Sequence, residues 1–268
     1  MALTPLLIIA AGLSLAMAGA WYVQRLTGSS GWVDTIWSLA VGVGGIAAAL
    51  MPSEVPFGAR RIVVIAIIAI WSLRLALHIA ARTRGGGEDP RYATLIEEWG
   101  SSFSLRLFLF LQVQALCAFA LVVAVYAAAA NPAPFPSFLD GIALAIAVVA
   151  IAGEALADAQ LARFRKLNRD RTRVCETGLW RWSRHPNYFF EWLGWCAWPL
   201  LAINLSGEHP WGWAALLAPL LMYLLLVHVS GIPPLEAHML KSRGEAFRAL
   251  QNRVNAFFPG PRHESNDA

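Results

Sequence analysis

The sequence predicts an all-α, polytopic membrane protein with seven transmembrane helices. Hydrophobic residues make up 57% of its 268 residues and charged residues only 14%, whereas charged residues are about 25% of a typical soluble domain. The mean hydropathy is +0.53. Apolar stretches occupy most of the chain and leave no segment large enough for a separate soluble core, so we expect a single membrane domain, residues 1–268, with short loops.

Each predicted span is a stretch of mostly apolar residues close to the ~20 that cross the hydrocarbon core as a helix. The stretches are roughly 3–22, 32–50, 62–80, 107–130, 139–160, 188–204 and 211–230. The sixth is short and carries Pro199, so its bounds are the hardest to place. The first could instead be a cleaved secretory signal because small residues follow its apolar run, although no basic segment precedes that run.

The basic residues are distributed unequally between the segments that connect the spans. Most of them lie in 23–31, 81–106, 161–187 and the tail from 231, and the other connecting segments hold only Arg60 and Arg61. Since Lys and Arg favour the cytoplasmic side, we expect the N-terminus outside and the C-terminus in the cytoplasm, in the inner membrane if the cell is bacterial. Adhesion to anionic lipid would also concentrate arginines there. No nucleic-acid-binding module accompanies them, so a nucleic-acid partner is not expected.

The fifth span carries ionisable residues at membrane depth. In "GEALADAQLARFRKLNRD", Glu154, Asp158 and Arg165 are separated by four and seven positions and share one helix face. Ionisable residues inside a membrane usually face a cavity or the bundle interior and mark a functional site. The alternative is a structural ion pair between Asp158 and an arginine further along the helix.

The stretch "RWSRHPNYFFEW" predicts the start of another helix, with Pro186 in its first turn. Arg184, Tyr188 and Glu191 share a face, and Asn187 lies four residues before Glu191. The free N–H groups of a helix start, together with basic and amide side chains, favour an anionic ligand.

Several arginines lie just before this stretch: Arg163, Arg165, Arg169, Arg171 and Arg173. The planar guanidinium matches phosphate geometry, and carboxylates accept hydrogen bonds from sugar hydroxyls. The two groups of residues together predict a cytoplasm-facing pocket for a ligand that carries both phosphate and sugar hydroxyls.

Three C-terminal segments resemble the membrane-embedded steroid 5α-reductase superfamily: "EALADAQLARFR", "TGLWRWSRHPNYFFEW" and "VSGIPPLEAHMLKSRGEAFRALQNRVNAFFP". The segments "WVDTIWSLAVG" and "WSLRLALHIAARTRGGGEDPRY" resemble its bacterial branch, catalogued as a domain of unknown function. The similarity therefore covers most of the chain. The superfamily also contains sterol C14 reductases and isoprenylcysteine carboxyl methyltransferases.

The resemblance implies a seven-helix enzyme that uses NADPH to reduce the conjugated C=C bond of a steroid-like 3-oxo-Δ4 lipid. Spans 1–4, within residues 1–130, would enclose the apolar substrate, and spans 5–7, within 131–268, would hold the cofactor. Carried over position by position, the cofactor contacts fall on Asp158, Arg165, Arg173, Asn187, Tyr188 and Glu191, with Arg184, His185, Glu236 and His238 as neighbours. The partners expected are a small hydrophobic substrate and membrane lipid, with no obligate protein partner.

The proton donor in that family resembles a glutamate–tyrosine pair from the second and third spans, and this sequence departs from it. The second span has Asp34, with Trp37 one turn away. A carboxyl group buried in hydrocarbon tends to be protonated, which would make Asp34 a donor; alternatively, Asp34 could be a helix N-cap. Tyr92, in "EDPRY" of a cytoplasmic loop, is a second donor candidate. We take Asp34, Trp37 and Tyr92 as the candidate catalytic residues.

Two other functions stay open. A methyltransferase that uses S-adenosylmethionine would share the C-terminal motif, although that cofactor has no phosphate for the arginines. A non-enzymatic lipid-binding protein would tolerate replacement of Asp158, Arg173, Asn187 and Glu191 together. The three cysteines and six histidines show no metal-ligand spacing, and no glycine fingerprint follows a strand, so we expect neither a metal ion nor a Rossmann fold.

Overall fold

Helices account for all of the regular structure in the computed structural model, among the residues that it describes, namely 3–52, 55–86, 89–168, 170 and 172–263. Six helices are long and apolar enough to cross a membrane. The prediction of an all-α fold is therefore confirmed, and the apolar helices indicate a multi-pass membrane protein.

The α-helices of the described residues are α1 (Leu3–Thr27), α2 (Gly31–Leu50), α3 (Ala59–Arg84), α4 (Pro90–Trp99), α5 (Phe103–Ala129), α6 (Phe138–Leu167), α7 (Pro186–Trp195), α8 (Ala197–Ala202), α9 (Leu217–Tyr223) and α10 (Ile232–Arg253). Short 3₁₀ helices cover Gly100–Ser102, Gly178–Arg181 and Pro210–Leu216, and a π-helix covers Leu224–Val229.

The candidate membrane helices are Thr4–Thr27, Gly31–Leu50, Ala59–Arg84, Arg91–Ala129, Phe138–Leu167 and Pro210–Arg253. They coincide with six of the seven predicted stretches. The remaining stretch, 188–204, forms the two short helices α7 and α8, which meet at Cys196. Pro199 explains the break, because it has no N–H for the carbonyl of Trp195 and its ring crowds that carbonyl.

Large apolar side chains are exposed along the long helices. Examples are Leu15 in α1, Leu77 in α3 and Leu116 in α5, which are 73%, 61% and 68% exposed. A contiguous apolar surface of this kind would be a liability in water. Lipid tails are as apolar as leucine, so the same surface is stable in a bilayer.

The chain divides into two compact units. Unit 1 consists of Met1–Ala143 and Trp198–Ala218, and unit 2 consists of Leu144–Ala197 and Pro219–Ala268. α6 and α9 each contribute residues to both units. The predicted functional division of the chain near residue 130 stays a prediction.

Small residues bring α2 and α3 close together in unit 1. A Cβ at Gly42 would collide with the side chain of Ser72, and one at Gly45 would lie 2.9 Å from Cγ1 of Ile68. Ser72 Oγ donates to the carbonyl of Ser38 at 2.8 Å. Close backbone approach and interhelical hydrogen bonds stabilise helix pairs in lipid, where no hydrophobic effect drives helices together.

Arg60 and Arg61, at the start of α3, are buried. The Arg60 guanidinium pairs with Asp140 at 2.7 Å and donates to the carbonyl of Leu201 at 3.0 Å. Arg61 donates to the carbonyl of Met51 at 3.1 Å. These two arginines therefore satisfy backbone carbonyls of α8 and of the loop after α2 in unit 1. Their presence in a segment poor in basic residues thus has a structural reason.

In unit 2, an aromatic ring of α7 packs against a glycine of α6. A Cβ at Gly153 would lie 2.5 Å from Cδ1 of Phe190, so only glycine leaves room for the ring. The indole Nε1–H of Trp180 donates to the carbonyl of Ala157 at 2.9 Å. Both contacts hold α6 against the segment that leads into α7.

The segment 254–260, which we call the C-terminal strap, lies along the residues that precede α7. The backbone N–H of Arg184 donates to the carbonyl of Asn255 at 2.9 Å, and the N–H of Gly260 donates to the carbonyl of Trp182 at 3.0 Å. The strap and the residues before α7 thus donate backbone hydrogen bonds to each other. These bonds fix the path of the chain as it enters α7.

Candidate functional site

A row of polar side chains, three of them buried carboxylates and the fourth a half-buried amide, lies on α6 and α7, and we call it the polar seam: Glu154, Asp158, Asn187 and Glu191. The three carboxylates are 5%, 7% and 7% exposed, in chain order. Asn187 Nδ2 donates to Asp158 Oδ1 at 3.2 Å. Buried carboxylates are costly unless they are hydrogen bonded. The structure thus brings together two residues, Asp158 and Asn187, that the sequence motifs singled out separately.

Glu191 is oriented by its own helix. Its Oε1 accepts from the Nε1–H of Trp195 at 2.9 Å, and Trp195 is almost fully buried. Residues four apart on a helix lie on the same face, so this contact follows directly from the sequence spacing. Trp195 was not among the predicted site residues, and that spacing is the signal that would have identified it.

Glu236 of α10 accepts hydrogen bonds from several side chains, and we call this arrangement the Glu236 clamp. Its Oε1 accepts from Arg184 Nε at 2.7 Å and meets His185 Nε2 at 2.9 Å. Its Oε2 accepts from Arg184 Nη2 at 3.2 Å and from Gln251 Nε2 at 2.7 Å. The two parallel bonds from Arg184 make a bidentate, charge-assisted pair.

Arg184 is used further within the same clamp. Its Nη1 donates to the carbonyls of Gln251, at 3.1 Å, and Val254. The guanidinium is therefore directed at α10 and the start of the strap. Three of the predicted cofactor neighbours, Arg184, His185 and Glu236, are bonded to one another in this structure.

Burial lowers the pKa of His185, and the hydrogen bond and charge of Glu236 oppose that shift without reversing it. In the neutral ring, Nε2–H donates to Glu236 and Nδ1 is left as an acceptor. The imidazole stacks on Tyr188, with ring centroids 5.6 Å apart and an interplanar angle of 15°. The clamp therefore orients Tyr188 as well, through the ring of His185.

The other predicted cofactor residues are less buried. Arg165, in the last turn of α6, and Arg173, in the loop after it, are exposed, and His238 is partly buried on α10. Arg173 Nη1 donates to Asn168 Oδ1 at 3.1 Å. Within the part of the chain that the structure describes, Arg173 and His238 make no hydrogen bond to the seam or the clamp. Two further arginines of the predicted phosphate group, Arg169 and Arg171, lie outside the described residues.

A second polar cluster, which we call the Asp34 cluster, lies in unit 1 where α2 meets the start of α4. The Arg91 guanidinium pairs with Asp34 Oδ2, and the Tyr92 hydroxyl donates to Asp34 Oδ1 at 3.4 Å. Arg91 also makes two parallel hydrogen bonds to Asp89, from Nε to Oδ1 and from Nη2 to Oδ2, both 2.9 Å. The structure brings the predicted catalytic residues Asp34 and Tyr92 into contact.

Asp34 is not an N-cap, and that interpretation is wrong. α2 begins at Gly31 with Ser30 as its cap, so Asp34 lies inside the first turn of the helix. In this structure the Asp34 oxygens accept from Arg91 and Tyr92, and the role of Asp34 as a proton donor stays a prediction. The hydrogen-bond donors of the cluster are the guanidinium and the phenolic hydroxyl.

Trp37 has structural partners on neighbouring helices. Its Nε1–H donates to the carbonyl of Gln114 in α5 at 3.2 Å. Its ring meets Trp71 of α3 edge to face, with centroids 6.4 Å apart. The only donor of the Trp37 side chain is therefore used in packing, and its catalytic role stays a prediction.

Sequence reasoning missed Asp89 and Arg91, which hold the Asp34 cluster together. The signal lies in "EDPRY", because Asp followed by Pro marks a helix N-cap and first position. Asp89 caps α4 by accepting from the N–H of Arg91 at 3.0 Å. Although burial raises the pKa of Asp89, the hydrogen bonds and charge of Arg91 and the charge of Arg82 lower it to about 2.

The chain matches, over residues 20–254, the family described as "Protein of unknown function (DUF1295)". It belongs to this family. Among curated proteins and among solved structures, no match was found. The matched range contains the polar seam, the Glu236 clamp and the Asp34 cluster, so this DUF1295 member carries all three in the part that the family description covers.

The side chains of the polar seam, the Glu236 clamp and the Asp34 cluster are suited to hydrogen bonding. No group of three or more His, Cys, Asp or Glu side chains is placed to hold a metal ion among the residues that the structure describes. Cys117, Cys175 and Cys196 are free thiols. Carboxylate, amide, guanidinium and imidazole groups are what the seam, the clamp and the Asp34 cluster offer a ligand.

Proposed function

We propose that this protein is an integral membrane oxidoreductase that uses NADPH to reduce the conjugated C=C bond of an enone lipid, steroid-like or otherwise flat and apolar. The observation that carries the proposal is the partly buried Asp158–Asn187 hydrogen bond in a seam with buried Glu154 and Glu191. Ionisable residues in a membrane helix are rare and mark sites of function. The motifs that resemble the steroid 5α-reductase superfamily support the same assignment.

The seam fits the ribose hydroxyls of a dinucleotide. Ionised carboxylates accept hydrogen bonds, and the Asn187 amide both donates and accepts. Asp158, Asn187 and Glu191 therefore offer hydroxyl groups several acceptors and a donor. The guanidinium groups of Arg165 and Arg173 fit phosphate, and the additional 2′-phosphate of NADPH is the group that an arginine commonly accommodates.

The Glu236 clamp acts by positioning in this proposal. Arg184 and Glu236 satisfy each other in a bidentate pair, so they fix the first turn of α7 rather than bind phosphate. That turn carries Asn187 and Tyr188. The ring of Tyr188, stacked on His185, is then held ready to pack against the ligand.

The Asp34 cluster serves the substrate. NADPH, when bound, would supply a hydride to the β-carbon of the enone. Negative charge then develops on the carbonyl oxygen, and a preorganised donor stabilises it. Tyr92 is that donor, because its hydroxyl is buried at the Asp34 cluster. Trp37 and Trp71 supply apolar surface on the neighbouring helices.

The topology that goes with this function has seven crossings. The sixth is the apolar stretch 188–204, which carries α7 and α8. The N-terminus lies outside and the C-terminus in the cytoplasm. This orientation places the arginine-rich segments in the cytoplasm, where NADPH is available, and the membrane is the inner one in a bacterium.

A methyltransferase of the isoprenylcysteine carboxyl type is the second candidate. The same seam favours it, since S-adenosylmethionine also carries ribose hydroxyls. Arg165 and Arg173 distinguish the two, because S-adenosylmethionine offers them no phosphate.

A thermal-shift titration of the purified protein in detergent tests the proposal, with NADPH, NADH and S-adenosylmethionine as ligands. A ligand at about 100 times its Kd adds about 2.7 kcal/mol to the free energy of unfolding, which corresponds to roughly 5–10 °C for a chain of this size. The variant Arg173→Ala removes an exposed charge that donates to Asn168 Oδ1. Its matched control is Arg248→Ala, an exposed charge on α10.

We expect NADPH to raise the Tm more than NADH does, and Arg173→Ala to weaken that shift while Arg248→Ala does not. A shift with S-adenosylmethionine alone would replace the reductase by the methyltransferase. No shift with any of the three would reject both and favour a non-enzymatic lipid-binding protein.

A further inference from the structure

We propose that Asp89 and Arg91 are positioning residues that hold the Asp34 carboxylate against the Tyr92 hydroxyl and so fix the position of the oxygen of the proton donor. The reaction itself rests on the proposed function. The positioning rests on the geometry of unit 1, and the two can fail separately.

The cluster is an alternating series of charges that ends at a tyrosine. Arg82 Nη2 meets Asp89 Oδ2 at 2.9 Å, with Arg82 45% and Asp89 8% exposed. Asp89 in turn meets Arg91, and Arg91 meets Asp34, whose side chains are 24% and 20% exposed. Tyr92, at the end of the series, is buried. Each carboxylate therefore has a guanidinium partner where burial would otherwise penalise its charge.

Asp89 determines the orientation of the Arg91 guanidinium. It receives the two parallel side-chain bonds, and its Oδ1 also accepts from the backbone N–H of Arg91. A guanidinium is planar, so two bonds along one edge fix the whole group. The second hydrogen of Nη2 is then directed at Asp34. Lysine could supply the charge at this position but not the fork.

Asp34 is held by two consecutive residues of α4. Arg91 engages Oδ2 and Tyr92 engages Oδ1. Because one carboxylate is shared, a rotation of Asp34 away from Arg91 would also carry Oδ1 away from the hydroxyl. The side-chain angle of Asp34, and with it the position of the Tyr92 hydroxyl, therefore depends on Asp89, which acts through Arg91.

The position of the hydroxyl matters for a defined step. With NADPH bound, the β-carbon would accept its hydride, leaving NADP⁺, and the π electrons would move to the carbonyl oxygen. The Tyr92 O–H, which is directed at Asp34 Oδ1 in this structure, would turn about its C–O bond to that oxygen; its O–H bond would then break, and the proton would pass to the oxygen to give an enol that tautomerises to the saturated ketone. The phenolate regains a proton from water. A misplacement of about 1 Å in such a step can reduce the rate about 100-fold.

The first test uses progesterone, a 3-oxo-Δ4 steroid, as the probe substrate and follows NADPH oxidation. We expect Asp89→Asn and Arg91→Lys each to lower kcat by about tenfold to 100-fold. The KM for NADPH and the NADPH-induced thermal shift stay at wild-type values. The matched controls are Glu98→Gln and Arg84→Gln, which remove exposed charges at α4 and α3. Wild-type kcat in Arg91→Lys would mean that charge alone suffices and would overturn the positioning role.

The second test needs no activity. Asp34 and Asp89 both accept from Arg91 Nη2, so the shared guanidinium couples them. In a double-mutant cycle of Asp34→Asn and Asp89→Asn, we expect the Tm changes to depart from additivity by a few degrees. Additive changes would overturn the inference. The Tm changes could be non-additive while the wild type neither binds NADPH nor reduces progesterone. That combination would refute the proposed function and leave the positioning role of Asp89 and Arg91 intact.

Discussion

Replacement of Glu236 by glutamine is the sharpest perturbation of unit 2. Glu236 accepts from Arg184, His185 and Gln251 at once. Glutamine keeps the shape of the side chain, but it removes the negative charge and turns one acceptor oxygen into an NH₂ group that faces donors. Arg184 is then left without its ionic partner. We therefore expect Glu236→Gln to destabilise the protein strongly.

The magnitude follows from the burial of the pair. Loss of one partner from a buried ion pair costs about 3–5 kcal/mol, because the other charge stays desolvated. The side chains of Arg184 and Glu236 are each 11% exposed, so some solvent screening remains and the lower value, about 3 kcal/mol, applies. At about 2–4 °C per kcal/mol for a chain of this size, the Tm should fall by about 6–12 °C.

The assay is thermal unfolding in detergent, followed by intrinsic tryptophan fluorescence. Glu245→Gln is the matched control, because Glu245 lies on the same helix and pairs with Arg248 while 85% exposed. Exposed ion pairs contribute little to stability, so this variant should melt with the wild type. A Glu236→Gln variant that also melts with the wild type would refute the clamp as a stabilising element.

Three further outcomes follow from unit 2 and from α6. Burial lowers the pKa of His185 from 6.5, so the stability that neutral His185 contributes is complete above pH 6.5 and is lost as the pH falls through the lowered pKa of the folded state. The difference in Tm between the wild type and His185→Gln should therefore shrink between pH 7.5 and 5.5. A difference in Tm that stays constant over this range would contradict the lowered pKa. Gly153→Ala should lower the Tm, because its Cβ would lie 2.5 Å from the ring of Phe190. Gly141→Ala should raise the Tm, because nothing lies within 4 Å of its Cβ and alanine is the better helix former. A change of Tm in the same direction for both variants would be evidence against close packing of Phe190 on Gly153. Removal of the residues after Val254 deletes most of the strap and should speed limited trypsin cleavage at Arg184, and an unchanged digestion rate would show that the strap does not protect this bond.

Helical periodicity was enough to predict much of the candidate site. Glu154 and Asp158 lie four residues apart, and the helix they predict places both side chains on one buried face. Apolar length was likewise enough for six spans. The stretch 188–204 was harder, because a window of mean hydropathy does not register that Pro199 interrupts the hydrogen-bond ladder.

The individual roles of the arginines could not be predicted from the sequence. A segment rich in arginine suggests phosphate binding or a cytoplasmic location, and the sequence position of Arg184 agrees with both interpretations. Its actual partner is Glu236, 52 residues away, and only tertiary packing brings them together. Arg91 was missed for the same reason, since its partner Asp34 is 57 residues away.

The contacts of the strap form late in synthesis, because the strap is made long after the residues that it binds. Arg184 and its acceptor Val254 are 70 residues apart, and a ribosome that adds about 5–20 residues per second needs about 4–14 s to cover that interval. During that time the nascent chain presents the Arg184 guanidinium and backbone N–H groups without their final partners, because the strap has not yet been made. A transcript that stops short of the strap would leave those groups permanently unpaired. Quality-control proteases would then have a local signal by which to distinguish a truncated chain from a finished one.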